Sequence, residues 1–179
     1  MGNMITSERN NDPAYVKMSN GLTDAVLCML VVSGSALATT EREKDLVVWL
    51  ASHDQSIYGL GAVGFDLSEL PWTTEQFEVE KQFLLRVITS CKTKEYWHLF
   101  DYDSHGDVVV RWIIPWLETL EQMIERLRRE AVHPAATLEW WQERPPELRR
   151  CPLHSAYLHR DGCIVCNVFV NELHTDSEC

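Results

Sequence analysis

The apolar positions between Gly21 and Ala38 recur three and four residues apart, and residues 25–32 are continuously apolar. This spacing predicts a buried helix. The continuous run is eight residues long, whereas a membrane span requires about 18 to 20, so no membrane association is expected. The small residues Ser33, Gly34 and Ala38 predict that another helix packs closely against this one.

Two pairs of capping residues mark the starts of the next helices. Thr40 and Glu43 have the spacing of a capping box, in which each side chain binds a backbone N–H of the first turn. Thr73 and Gln76 repeat this spacing. They predict a third helix that begins at Trp72 and carries apolar residues at helical spacing along its length.

A longer fourth helix is predicted over residues 108–131, with Asp107 as its N-cap. Trp, Ile and Leu side chains form one broad apolar stripe along it. Pro115 lies inside this pattern and predicts either a kink or the true start of the helix. A short segment that contains Trp140 and Trp141 follows.

Together with the cysteine-containing segment described next, these elements predict a mainly α protein. It has a helical domain of four to five helices and a small β-hairpin zinc-knuckle module at the C-terminal end. The first residues are polar and have neither an apolar core nor a basic start, which predicts a flexible arm rather than a signal peptide. Proline, cysteine and polar residues then divide the end of the chain. The predicted units are the arm 1–20, the helical domain 21–143, a Pro-rich linker 144–150, the module 151–167 and a tail 168–179.

The module is predicted from its cysteines and histidine. Cys151-Pro-Leu-His154 is followed after eight residues by Cys163-Ile-Val-Cys166. Two residues between ligands let the backbone turn tightly, so that both side chains reach one ion while backbone N–H groups support the thiolates. These four residues therefore predict a tetrahedral Zn²⁺ site, with His159 as an alternative to His154. Because protein atoms fill all four positions, the zinc is expected to be structural.

The spacing resembles a small zinc-ribbon or knuckle module and covers about a tenth of the chain. It differs from the commoner four-cysteine form by having His154 at the second position. The Asp161-Gly162 pair has turn chemistry, and Tyr157 with Leu158 can form a short strand before it. Six cysteines without a secretory signal indicate a reducing compartment, so a cytoplasmic protein is expected.

The charge of the chain limits its partners. The net charge is -11 and the pI is about 5.0, which disfavours nucleic acid as a partner, since phosphate contacts need clustered Lys and Arg. A basic protein is favoured instead. Seven acidic residues and no Lys or Arg lie from Asp45 to Glu80. Within this run a docking surface with an exposed aromatic anchor is predicted at Asp66, Glu69, Trp72, Glu75 and Glu78.

Three functions remain open at this point. The favoured one is a non-enzymatic protein that binds a basic partner, such as an immunity or antitoxin-like inhibitor of a toxin or nuclease. The first alternative is a nucleic-acid-binding regulator in which the zinc module, with Arg149 and Arg150, contacts DNA or RNA. The second is an enzyme with a site in the helical domain that uses His53, His98 and His105, although these histidines share no catalytic spacing.

Overall fold

The computed structural model describes residues 3–99 and 106–167, and helix α1 (Asn20–Leu37) lies at the centre of this part of the chain. Twelve residues of α1 are buried. The helix packs mainly against the helices over Glu41–Ala51 and Phe77–Lys92. By length and composition alone α1 is apolar enough to cross a membrane, with a mean hydropathy of 1.4, but 67% of it is buried inside the fold. The predicted buried helix is confirmed.

Helix α2 (Glu41–Ala51) begins at the predicted capping box. The backbone N–H of Glu43 donates to Thr40 Oγ1 at 3.2 Å, and the N–H of Thr40 donates to Glu43 Oε2 at 3.0 Å. The close approach predicted for α1 is made by this helix, because a Cβ built on Gly34 would lie only 2.7 Å from Val47 Cγ2.

Four further helices complete the set of six α-helices among the described residues. Pro115 does not interrupt the helix over Gly106–Arg126. The helix predicted to begin at Trp72 begins instead at Phe77. The N–H and the hydroxyl of Thr73 bind the carboxylate of Glu80 at 2.8 and 2.9 Å, so Thr73 is held outside the first turn. The bounds are α3 (Gln55–Tyr58), α4 (Phe77–Lys92), α5 (Gly106–Arg126) and α6 (Pro134–Glu143).

The flexible arm predicted at 1–20 is wrong for the described residues. Strands β1 (Met4–Ser7) and β2 (Asp12–Lys17) pair antiparallel, and β1 also pairs in parallel with β3 (Phe65–Asp66), giving the order β2-β1-β3. Ile5 and Val16 point into the core. β2 packs against α5, and strands this short and partly polar give no clear hydrophobic pattern in the sequence.

The segment predicted as a linker is attached to the helices at both ends. At its start, Arg144 forms an ion pair with the buried carboxylate of Asp45 on α2. At its end, the guanidinium of Arg150 donates to the carbonyl oxygen of Ser35 at 2.7 Å and lies 4.5 Å from the ring centroid of Tyr157. The predicted tail 168–179 lies outside the described residues.

The contact between Gly34 and Val47 can be tested with two alanine substitutions. Gly34→Ala is expected to lower the free energy of unfolding by about 1–3 kcal/mol, because the χ1 angle of a helical valine is stiff and the two helices must separate. Gly21→Ala, also in α1 but with no atom within 4 Å of the added Cβ, should be neutral or stabilising by about 0.5–1 kcal/mol. Urea denaturation measures both, and equal effects would contradict the close packing.

Candidate metal centre

Four potential ligand atoms converge near the C-terminal end of the described chain. They are the sulfurs of three cysteines and one imidazole nitrogen, and all lie within 4.8 Å of one another. His154 Nδ1 lies 3.7 Å from Cys151 Sγ, 3.7 Å from Cys163 Sγ and 3.4 Å from Cys166 Sγ, and the sulfurs of Cys151 and Cys166 are 3.7 Å apart.

These separations match the edges of a tetrahedron around Zn²⁺. Bond lengths of about 2.3 Å to sulfur and about 2.05 Å to nitrogen imply S···S edges of about 3.8 Å and S···N edges of about 3.6 Å. A disulfide would instead bring two sulfurs to about 2.05 Å, and these three cysteines are free. The residues present therefore fit zinc in number, type and spacing.

The backbone supports two of the thiolates as the spacing predicts. Burial raises the pKa of Cys151, but hydrogen bonds from the N–H groups of His154 and Leu153 and from the thiols of Cys163 and Cys166 together outweigh it, so that the pKa is lowered. For Cys163, burial dominates and raises the pKa of the thiol to about 12 despite equivalent N–H groups of Cys166 and Val165. Since the ligand form of cysteine is the thiolate, a cation at the centre would offset this cost.

The predicted β-hairpin is not confirmed around these ligands. Residues 150–167 contain only two isolated bridges, Arg150 with Tyr157 and His159 with Gly162. A helical turn follows over 164–167, in which the N–H of Asn167 donates to the carbonyl oxygen of Cys163 at 3.0 Å. The second ligand pair therefore begins a helical turn, and two bridges are too few to form a strand pair.

The alternative ligand His159 is bound elsewhere. Its Nε2 lies 3.2 Å from Asp54 Oδ2, and its Nδ1 accepts the N–H of Asp161 at 3.3 Å. An Nδ1 that accepts a hydrogen bond places the proton on Nε2, which then donates to Asp54. Both ring nitrogens are occupied and the ring is buried, so His154 is the histidine of the cluster.

Comparisons with protein-family models, with curated proteins and with solved structures find no match. The character of the site follows from its donor atoms. Three sulfurs and one imidazole are the soft and borderline ligands that zinc accepts in tetrahedral geometry, while carboxylate-rich sites suit Mg²⁺ and Ca²⁺. The chain contains a Cys₃His cluster that can bind a metal such as zinc.

The aromatic anchor predicted at Trp72 is wrong. Its side chain is only 2% exposed, and Nε1 donates to the carbonyl oxygen of Leu67 at 2.7 Å. Asp66 is also buried and accepts hydrogen bonds from Thr6, Ser68 and the N–H of Glu8. Of the five residues predicted for docking, Glu75 and Glu78 are exposed and Glu69 is partly buried.

Two acids of the acidic run are paired with arginines that lie outside it. Arg42 forms ion pairs with both Asp45 and Glu80, and Arg144 forms a second one with Asp45. Four of the seven acids in the run are buried: Asp45, Asp54, Asp66 and Glu80. The run therefore exposes less negative charge than its sequence suggests.

The histidines considered for an enzyme are not brought together. His98 is exposed near the end of the first described range, and His105 lies outside the described residues. His53 lines a cavity of about 420 Å³ together with His133, which the sequence analysis did not select. No spacing signal links the two, because His53 lies just after the end of α2 and His133 just before the start of α6.

The choice between the two histidines can be tested by substitution. His154→Ala should abolish the visible d–d absorption of the Co²⁺-loaded protein and reduce bound zinc well below about one ion per chain, because a ligand is lost. His159→Gln should retain about one ion, since it removes only the contact with Asp54. Elemental analysis and Co²⁺ titration measure both, and Cys91→Ala serves as a buried-cysteine control. Loss of metal in His159→Gln alone would contradict the assignment.

Proposed function

We propose that the chain is a non-enzymatic binding protein in which a structural Zn²⁺ holds residues 151–167 against the helices, and that its partner is a basic protein. The observation that carries the zinc assignment is the tetrahedral spacing of Cys151, His154, Cys163 and Cys166. The inhibitor class, as in immunity proteins and antitoxins, is supported by the size and acidity of the chain.

A structural role follows from the ligand count. Three thiolates, a neutral imidazole and Zn²⁺ give a cluster charge of about -1 and leave no coordination position for water or substrate. The same segment is fixed to the helices by contacts that do not involve the ligands: the N–H of Tyr157 donates to Ser35 Oγ at 2.8 Å, and Asn167 Nδ2 donates to Asp54 Oδ2 at 2.7 Å. Metal binding and docking of the segment therefore support each other.

A basic partner is supported by the charge that remains exposed. The net charge is -11, and the acids that face solvent include Glu75, Glu78, Glu139 and Glu143. Such a surface steers basic proteins and repels phosphate backbones. One of the two arginines considered for nucleic acid, Arg150, already binds Ser35, which favours protein over nucleic acid as the partner.

Removal of zinc is expected to release residues 151–167 from the helices. Structural zinc in small domains contributes roughly 10–16 kcal/mol of apparent binding free energy, far more than the hydrogen bonds that remain. Hydrogen exchange with and without chelator should show loss of protection in 151–167, with α1 and α2 affected less. Unchanged exchange across 151–167, in protein shown to have lost its metal, would contradict a structural role.

The partner prediction is tested by capture from an extract of the source cells. The zinc-loaded chain should enrich a basic protein, and binding should weaken steeply with salt, because screening shortens the reach of charges. Glu75→Lys combined with Glu78→Lys should weaken capture, while Glu118→Lys, an exposed acid on α5, should have a smaller effect. Enrichment of nucleic acid, or capture that is insensitive to salt, would contradict the proposal.

A further inference from the structure

The cavity beside α2 has the dimensions of a ligand site. Its volume of about 420 Å³ lies in the range of roughly 300–1,000 Å³ that is typical of small-molecule pockets. Trp49 of α2, His53 just after this helix, the loop that carries Val63, and α6 form its walls. The cavity lies outside the metal cluster, because none of the four metal-binding residues lines it.

The charged groups of the cavity are carboxylates. Glu69 is partly buried in the wall, and Glu139 and Glu143 are exposed one turn apart on α6. No Lys or Arg is found among the described residues that line it. Burial lowers the pKa of His53, and its Nδ1 is 2.9 Å from the carbonyl oxygen of Trp49, so this ring is neutral at pH 7 and adds no positive charge. A cation would meet negative charge that no ion pair among the described residues compensates, while one oxygen of Glu69 already accepts the N–H of Asp66 at 3.1 Å.

Aromatic rings complete the binding surface. Trp49 and Trp140 are buried in the cavity wall, and Tyr58 is 61% exposed at the rim. Ring faces attract ammonium and guanidinium groups through the quadrupole of the ring. Close to Tyr58 in sequence, Ile57 and Leu60 are 46% and 74% exposed outside the cavity lining, so that a bound chain leaving the cavity beside Tyr58 has exposed apolar side chains within reach.

Two polar atoms of the cavity residues lack a hydrogen-bond partner in the described structure. They are Nε1 of Trp140, a side chain only 4% exposed, and Nδ1 of His133. A buried N–H without an acceptor is costly. Both atoms are closed to solvent in this structure, so a ligand oxygen reaches the indole N–H only if the wall of the cavity shifts on binding.

We propose that this cavity binds an organic cation, an alkylammonium or guanidinium group, between the aromatic walls and the carboxylates of Glu69, Glu139 and Glu143. The cation comes either from a free small amine or from a Lys or Arg side chain of a protein. The second source rests on the proposed function, whereas the cation site itself does not. Tyr58, Ile57 and Leu60 then contact the apolar stem of the ligand or the chain that carries it.

Calorimetric titration of the zinc-loaded protein tests the site with three probes of similar size. N-acetyl-lysine methylamide and N-acetyl-arginine methylamide should bind at least about tenfold more tightly than the uncharged N-acetyl-norleucine methylamide. Glu139→Gln combined with Glu143→Gln should weaken cation binding by about fivefold to tenfold. The matched control, Glu75→Gln with Glu78→Gln, removes two exposed acids outside the cavity and should leave it unchanged.

A fourth probe distinguishes the two sources of the cation. Tighter binding of N-acetyl-lysine methylamide than of n-butylamine supports a partner's side chain, because only the blocked residue carries the backbone amides of a polypeptide. Equal affinities support a free amine. Absence of saturable binding by any cation, equal binding of the norleucine probe, or equal losses in both double variants would overturn the site. Elemental analysis of the same samples keeps this result separate from a failure of the zinc assignment.

Discussion

The buried carboxylate of Asp54 joins the two parts of this protein. One oxygen accepts the N–H of Ser56 and caps α3, while the other lies 2.7 Å from Asn167 Nδ2 and 3.2 Å from His159 Nε2. A fully buried carboxylate is tolerated only when hydrogen bonds replace the water it has lost. Because two of these bonds come from residues 151–167, the carboxylate determines where the metal-binding segment must lie on the helices.

Local spacing was sufficient to predict the features that depend on neighbours in sequence. The capping box of Thr40 and Glu43 spans four residues, and each half of the metal site is a turn with two intervening residues, so both are determined within one short stretch. The choice between His154 and His159 was not local. It depended on Asp54, which lies on a different part of the chain.

Features that depend on distant partners were missed or misassigned. Trp72 lies in an acidic region that follows a glycine-rich stretch and resembles a surface loop. Its indole is nevertheless buried and donates a hydrogen bond to the carbonyl oxygen of Leu67. Two acids of the surrounding run, Asp45 and Glu80, are paired with Arg42 and Arg144, and no charge count within the run reveals this. The cavity assembles from α2, a loop and α6, so that its residues have no common motif.

The parallel pairing of β1 with β3 has a consequence for how the chain is made. Ile5 lies opposite Phe65, and three helices lie between them in sequence. Closing such a long loop costs more entropy than forming a hairpin, and contacts of this separation slow folding. A nascent chain can form the β1–β2 hairpin as soon as Lys17 emerges, but the third strand can join only after the helices between them have been synthesised.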